Sequence, residues 1–570
     1  MSPTNLTRRS FMKASALAAG AAALGSGVAT VNNLVESDQA YAADEVKLVH
    51  TSCRACISNC GIIAHVQNGR VIKLEGDPAD PMSEGRVCPK GLSGIQALYH
   101  PNRNKYPMKR VGERGGNQWE RISWEEAIDT IADALMDMKD KTGLEGLLCS
   151  TGGGGNPQFF SPARFLSVWG GGNFFEPGCA QCYLPRMGAS QLSNGMGKPN
   201  NLSFSDSNGW DYYFTDSPVD SLVLWGTDPS NSSVATGGRA LAELRAREKG
   251  LKTVVIDPRM TMDAAKAEVW LPIRPGTDAA LLMAWTKWII DNKKYDEDFC
   301  TNWTNMPYLV NPETRLTLKP TECGLEGTDA DYVIWDPAQG KPVVLEYPMN
   351  EGVTPPLFGT YEIDGKQYPT GGQLLKESVE EFTLAKAAEI CWLDEGQIEK
   401  ALEIYTTGQS GIMQGVPIDQ YEQSQQCALG ALNLEYLMGN VQKPGAMLQS
   451  FKACPARDQI PNTPRFLKKE KMLKRLGVQE HKGLLDWDMA FIPAVFKAMK
   501  DGDPYQIHAW FERSGNKHVV LGNATCLDEI VPNLDFVCHI FMYPRRSPCC
   551  VPTCCFPPRS GWKPTWSSRS

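Results

Sequence analysis

Four cysteines in the order Cys53-x2-Cys56-x3-Cys60-x27-Cys88, running straight into Pro89-Lys90-Gly91, constrain this chain more than any other feature. Three thiols inside eight residues, with a fourth delivered by a later loop, can enclose a cubane of iron and sulfide. Each iron then takes one thiolate, and the cluster passes electrons one at a time. A zinc site is a rival use of the same residues, but it usually shows two separated C-x2-C pairs, and only one is present here. A disulfide framework is the other rival, and it belongs to small domains with poor cores rather than to a chain of 570 residues.

The segment ahead of the cysteines reads as an address for export. Thr7-Arg8-Arg9-Ser10-Phe11-Met12-Lys13 is a twin-arginine pattern, followed by an Ala/Gly-rich stretch from Ala14 to Thr30 and an A-x-A cleavage site at Ala40-Tyr41-Ala42. An amphipathic helix or a membrane anchor is the alternative, but the stretch is too short and too rich in Ala and Gly to span a bilayer well. The expectation is a signal over 1–42 and a mature protein in the periplasm or on the outer face of the cytoplasmic membrane, with no span of its own. This route exports folded cargo, so cofactors can be fitted before the chain leaves. A net charge of −8 and the lack of any basic run interleaved with aromatics argue against a nucleic-acid partner.

Hydrophobic periodicity divides the rest. Gly61–Val66, a turn at Gln67–Arg70 and Val71–Leu74 read as a β-hairpin beneath the cysteines, within a domain over 43–107. Ser123-Trp124-Glu125-Glu126 reads as a capping box opening an amphipathic helix, with a buried strand at Gly146–Ser150 and glycines at 152–155 beyond it. Two more strands, Ser221–Trp225 and Leu251–Ile256, end in Gly226-Thr227-Asp228-Pro229 and Asp257-Pro258-Arg259, joined through a helix over Ala235–Lys249. Apolar runs alternating with amphipathic helices predict doubly wound parallel sheets, whose ligands lie beyond the carboxyl ends of the strands. The fold class is therefore α/β: a small β-rich cluster domain, then two doubly wound domains. The expected spans are 108–215 for the first part of one α/β domain, 216–410 for the other, and 411–544 for the remainder of the first. Residues 300–370 read as an irregular excursion.

These segments resemble the bis-molybdopterin-guanine-dinucleotide oxidoreductases of the dimethyl sulfoxide reductase family. The matching stretches are the cysteine set with Cys88-Pro89-Lys90-Gly91, Arg121–Ala127, Leu224-Trp225-Gly226-x-x-Pro229, Ile256–Arg259 and Pro275–Leu281, with Leu437-Met438-Gly439-Asn440-Val441-x-x-Pro444-Gly445 further on. The resemblance implies a [4Fe–4S] cluster on Cys53, Cys56, Cys60 and Cys88, and a catalytic role for Lys90 as a cation between cluster and pterin. It implies that Trp225, Gly226, Asp228, Asp257, Arg259, Gly276, Thr277 and Asp278 hold the dinucleotide tails of the cofactor. It also implies a molybdenum or tungsten ligand in the loop Asn173–Arg186. Cys182 fits the family's position best, with Cys179 as the alternative and a structural cysteine pair as a third reading.

The same resemblance implies a catalytic chain wired to an iron–sulfur electron-transfer subunit, with a quinone-linked membrane subunit beyond it. The loop Glu176–Cys182 looks like the branch holding catechol dehydroxylases, pyrogallol transhydroxylase and acetylene hydratase. Formate dehydrogenases place a His after the metal ligand, whereas Tyr183 follows here. The implied activity is reduction of a small, phenolic-type substrate. Reduction of thiosulfate, polysulfide or a similar compound, non-redox hydration or transhydroxylation, and an inactive remnant stay open.

The last stretch, 545–570, departs from the pattern. It carries Cys549, Cys550, Cys554 and Cys555 where family members continue A-D-V-L-L-P-x-x-x-W-L-E-T-N. Two cysteine pairs could bind zinc. Codons for Cys550–Ser570 read two bases later can instead spell A-D-V-L-L-P-P-A-K-W-L-E-T-N-M-V-V-E, so a frameshift between Tyr543 and Cys549 is expected, together with loss of the β-barrel-like domain that caps the pterins.

Overall fold

The computed structural model describes residues 45–53, 55–56, 60–81, 83–114, 116, 118–152, 157–176, 184–194, 220–231, 239–346, 350–441, 443, 468–481, 489–513, 515–523, 525–543 and 554–556. The expected signal segment and most of the tail lie outside them. The chain divides into two compact units, one of residues 1–180, 233–238 and 452–570, the other of residues 181–232 and 239–451.

The first unit opens with an antiparallel sheet of β1 (Lys47–Ser52), β2 (Gly61–Gln67) and β3 (Arg70–Gly76). Asn68 and Gly69 both take positive φ, which matches the twist of a two-residue hairpin turn. Ile62, Ala64 and Leu74 face inward and are buried. The short helix α1 (Pro89–Leu92) starts directly after Cys88, with proline in its first turn where no N–H is missed. After the short pair β4 (Met108–Arg110) and β5 (Trp119–Arg121) comes α2 (Trp124–Thr142). Ser123 caps α2 by accepting the Glu126 N–H, and Ala127, Ile131, Leu135 and Met138 form its buried stripe. The strand β6 (Leu147–Thr151), α3 (Pro157–Trp169) and β7 (Asn173–Phe175) follow.

The second unit begins with α4 (Leu184–Asn194) and is built on a four-stranded parallel sheet. Its first strands are β8 (Ser221–Trp225), β9 (Lys252–Ile256) and β10 (Val269–Leu271), with α5 (Arg239–Glu248) between β8 and β9 and α6 (Asp278–Asp291) after β10. The excursion over 300–370 contains two hairpins, β11–β12 (Val333–Asp336 with Lys341–Val344) and β13–β14 (Thr360–Ile363 with Lys366–Pro369), around a small core of Leu309, Leu318 and Val333. The chain returns through α7 (Leu384–Cys391) and α8 (Glu395–Tyr405) to β15 (Ser410–Gln414) and α9 (Ser424–Leu437).

Here the topology differs from the expected domain break at residue 410. β15 pairs in parallel with β8, in the order β10-β9-β8-β15, so residues 411–441 complete the second unit. A uniformly buried strand does not carry the identity of its sheet in its own letters. The core of this unit contains a run of rings in which Trp225 and Trp285, then Trp285 and Tyr405, lie 5.6 Å apart.

The first unit then resumes with α10 (Ile492–Asp501), β16 (Ala509–Arg513) and β17 (Phe536–Ile540). β16 lies between β6 and β17, parallel to both, so one sheet is assembled from two distant stretches. The tail, expected to be foreign to the fold, contributes the three-residue strand β18 (Cys554–Phe556) between β17 and β4. The open side of β17 offers unpaired backbone groups that a short extended segment satisfies.

Candidate cofactor sites

The cysteine site is organised by backbone before any side chain acts. The antiparallel register ends at Ser52 opposite Gly61, and the Cys53 N–H donates to the Cys60 carbonyl at 2.8 Å. Gly91 passes so close that a Cβ there would lie 2.4 Å from a methyl of Val87 and 3.2 Å from the Cys53 sulfur. A glycine after Pro89-Lys90 is thus what allows α1 to bring Cys88 toward the other three.

Burial pushes the Cys60 thiol up to about 11, with Cys53 and Cys56 adding to the shift. Burial also raises Cys53, Cys56 and Cys88 push the same way, and the positive charge of Lys90 opposes them. The four thiols therefore share one neighbourhood, and Lys90, itself exposed, acts on it electrostatically. Among the described residues no three His, Cys, Asp or Glu side chains converge as a single metal ion would need. This donor set fits a cluster that takes one thiolate per iron; binding it would relieve the mutual crowding of the sulfurs.

The second candidate site is the carboxyl edge of the β10-β9-β8-β15 sheet. The chain winds from β8 outward to β10 and then returns to the other side of β8, so the crevice at this reversal opens between β8 and β15. Gly226 (φ 63) and Gly415 meet there: a Cβ on Gly415 would sit 1.7 Å from the Gly226 carbonyl oxygen. Only glycine permits that approach, and Gly415 N–H donates to the Trp225 carbonyl at 2.8 Å.

The expected tail-binding residues all lie on this unit, but they divide by role. The indole of Trp225 points into the core and donates to the Asp278 carboxylate at 2.7 Å. Asp257 accepts the Arg259 N–H at 2.8 Å, closing the turn after β9, and the largely exposed Arg259 guanidinium lies 3.7 Å from the same carboxylate. Gly276 (φ 81) has open space where a side chain would be, and Thr277 precedes α6 with its hydroxyl donating back to the Arg274 carbonyl at 2.7 Å rather than capping the helix. Burial, together with Asp263, raises the Asp228 carboxyl, and one of its buried oxygens has no hydrogen-bond partner among the described residues.

Sequence reasoning missed two acids here. Asp263 accepts the Ser230 N–H at 3.1 Å. Glu243, on α5, is pushed up to about 7 by burial and by Asp263, although Arg247 bonds it at 2.7 Å. Crowded carboxyls with an unpaired oxygen, beside glycines that leave the backbone bare, fit a ligand that brings N–H donors and a phosphate group.

A third missed group is buried beside the β15 end of that edge. Arg186, in the first turn of α4, donates to the Gln414 carbonyl at 2.9 Å and pairs with Asp419 at 2.6 Å. Burial pushes Asp419 up to about 6, opposed by Arg186. The Gln414 side-chain amide is buried and has no hydrogen-bond partner among the described residues. The Pro185-Arg186 exit of the loop expected to hold the metal ligand carried a signal for this anchor; Asp419, in an unremarkable turn, carried none. Cys182 and its alternative Cys179 lie outside the described residues.

A cysteine domain with cluster spacing, followed by α/β units whose strand ends are lined by Gly and Asp, defines a class of redox subunit. The chain belongs to the molybdopterin oxidoreductase family: the family's sequence profile matches residues 103–529, and the profile of its Fe4S4 domain matches residues 46–100. The cofactors of that class are a molybdopterin and a [4Fe–4S] cluster.

The chain is 27% identical to a dopamine dehydroxylase of Eggerthella lenta, over 94% of this chain and 61% of that one. It is 29% identical to a putative catalytic subunit of dimethyl sulfoxide reductase from Halobacterium salinarum, over 73% and 50%. Among solved structures it is similar to the acetylene hydratase of Pelobacter acetylenicus, with a TM-score of 0.66, 22% identity and coverage of 89% and 62%. The chain thus spans about three fifths of the length of the dehydroxylase and of the hydratase.

Proposed function

We propose that this chain is the catalytic subunit of a molybdenum- or tungsten-dependent reductase acting on a small phenolic substrate of the catechol type. The observation that carries this reading is the similarity to a dopamine dehydroxylase along 94% of the chain. The loop Glu176–Cys182 with Tyr183 after it supports the same branch. Removal of a ring hydroxyl takes two electrons and two protons, breaks one C–O bond and releases water.

When bound, the metal–pterin group supplies the two-electron chemistry and the cluster supplies electrons singly. The chain's own residues hold and orient these groups. Cys53, Cys56, Cys60 and Cys88 ligate the cluster, and Lys90 stabilises negative charge added to it. Cys182 is the metal ligand. Gly226, Asp228, Asp257, Arg259, Gly276 and Thr277 hold two guanine dinucleotide tails in part, with Trp225 and Asp278 fixing the edge from beneath. The Arg186–Asp419 pair fastens the start of α4 behind the ligand loop.

Export by the twin-arginine segment and delivery of electrons by an iron–sulfur subunit, with a quinone-linked membrane subunit behind it, complete the proposal. Several relatives are named as subunits, which supports a partner. Among the described residues no helix is long and apolar enough to cross a membrane. Reduction of a sulfur compound is the second reading, supported by the similarity to the putative dimethyl sulfoxide reductase chain.

Purified protein with reduced methyl viologen distinguishes the readings. Catechols should oxidise the dye and yield the singly dehydroxylated product. Turnover with dimethyl sulfoxide or tetrathionate alone would favour the second reading. Hydration of an alkyne without dye consumption would overturn both. Cys182→Ala should abolish metal retention, and loss with Cys179→Ala instead would move the ligand.

A further inference from the structure

Helix α7 ends on Trp392, whose backbone sits in the left-handed region at φ 59. That conformation suits glycine or asparagine, and Trp392 is the only aromatic among the described non-glycine residues with positive φ. Its side chain does not recover the cost by burial, since 70% of the residue is exposed.

The indole is nevertheless held in place. The Arg274 guanidinium lies over the ring, 4.5 Å from its centre. The turn beneath is fastened at two points: Arg274 N–H donates to the Cys391 carbonyl at 2.9 Å, and the Cys391 thiol reaches the Thr277 carbonyl at 3.5 Å. Trp392 is thus tied to the Arg274–Thr277 segment beyond β10, where Gly276 leaves open space.

We propose that Trp392 and Arg274 form an outer wall of the dinucleotide-tail site, against which the guanine base of the tail packs. One part of the indole is taken by the guanidinium, and the remainder offers a flat apolar surface to a base. A guanidinium beside it can also reach a phosphate oxygen. The inference rests on the reading that this edge holds a guanine dinucleotide; the shared chemistry is a purine nucleotide, whether covalently part of the cofactor or free.

The conformation of Trp392 supplies an unusually clean test. Trp392→Gly suits the left-handed cap better than the native residue, so the full chain should keep or raise its melting temperature. Loaded protein is dialysed, and the GMP released by acid is counted per chain. Trp392→Gly should retain roughly 5- to 100-fold less on the scale of one lost stacking contact, and Trp392→Phe should retain most of it. Equal retention by wild type and Trp392→Gly, at equal melting temperature, overturns the wall while leaving the dinucleotide reading intact.

If wild type releases no GMP, the dinucleotide reading itself fails. Titration of the cofactor-free full chain with GMP and AMP then decides the wall separately. Tighter GMP binding by wild type than by Trp392→Gly supports it for a free nucleotide, and identical or absent binding sinks it.

Discussion

The indole N–H of Trp225 donates to a carboxylate oxygen of Asp278 across 2.7 Å, joining the last residue of β8 to the first residue of α6. Both residues are buried, so this bond fixes the helix that follows the candidate dinucleotide loop to the strand beside it. Trp225→Phe keeps a ring in the core but leaves the Asp278 oxygen without its donor. It should cost about 1–3 kcal/mol in chemical denaturation. An unchanged denaturation midpoint would show that the bond carries no net stability.

The Gly226–Gly415 contact makes a sharper prediction. A methyl at 415 would overlap backbone rather than a flexible side chain. Gly415→Ala should therefore part the ends of β8 and β15, lower the melting temperature by several degrees and reduce the dinucleotide content of purified protein. Normal content with normal stability would mean that the crevice can widen without consequence.

Stability of the cofactor-free chain should depend on pH through Glu243. Its folded carboxyl titrates at about 7 against an ordinary value of 4.5. The unfolded chain thus loses this proton first, and stability falls as pH rises from about 4.5 to about 7, by about 3 kcal/mol at most, then levels. Glu243→Gln should flatten that window, as read by urea midpoints at pH 4.5, 6 and 7.5. A slope of the same size in the variant would assign the effect elsewhere.

Single Cys→Ser changes at 53, 56, 60 or 88 should each lower bound iron from about four per chain and remove or alter the visible absorption of the cluster. Zinc in place of iron in carefully anaerobic wild-type preparations would contradict the cluster assignment.

Removing one member of the Arg186–Asp419 pair strands a buried charge. Asp419→Ala should cost about 3–5 kcal/mol, and the double change Arg186→Met with Asp419→Ala should recover part of that loss. Absence of any recovery would show that the two act independently.

Much of this architecture was legible because its signals are local. The Asn68-Gly69 turn, the Ser123 cap and the Gly and Asp residues after β8 and β9 each follow from chemistry within a few residues. The membership of β15 was not legible, since Ser410–Gln414 is buried throughout and its partner β8 is fixed only by packing. Nor could the letters tell that the Trp225 side chain shares a face with Val223 and the core rather than with the crevice. Glu243 carried no signal in the sequence, because its burial near Asp263 arises only once α5 is folded.

β6 meets its neighbour β16 only after the whole of the second unit has been synthesised between them. On the ribosome, β6 must therefore wait with one strand edge open, while the second unit can close as soon as β15 and α9 emerge. The order of birth is then inverted relative to the order of the chain: the internal unit matures before the one that surrounds it in sequence. A chaperone that guards the waiting edge would have to stay bound until β16 emerges.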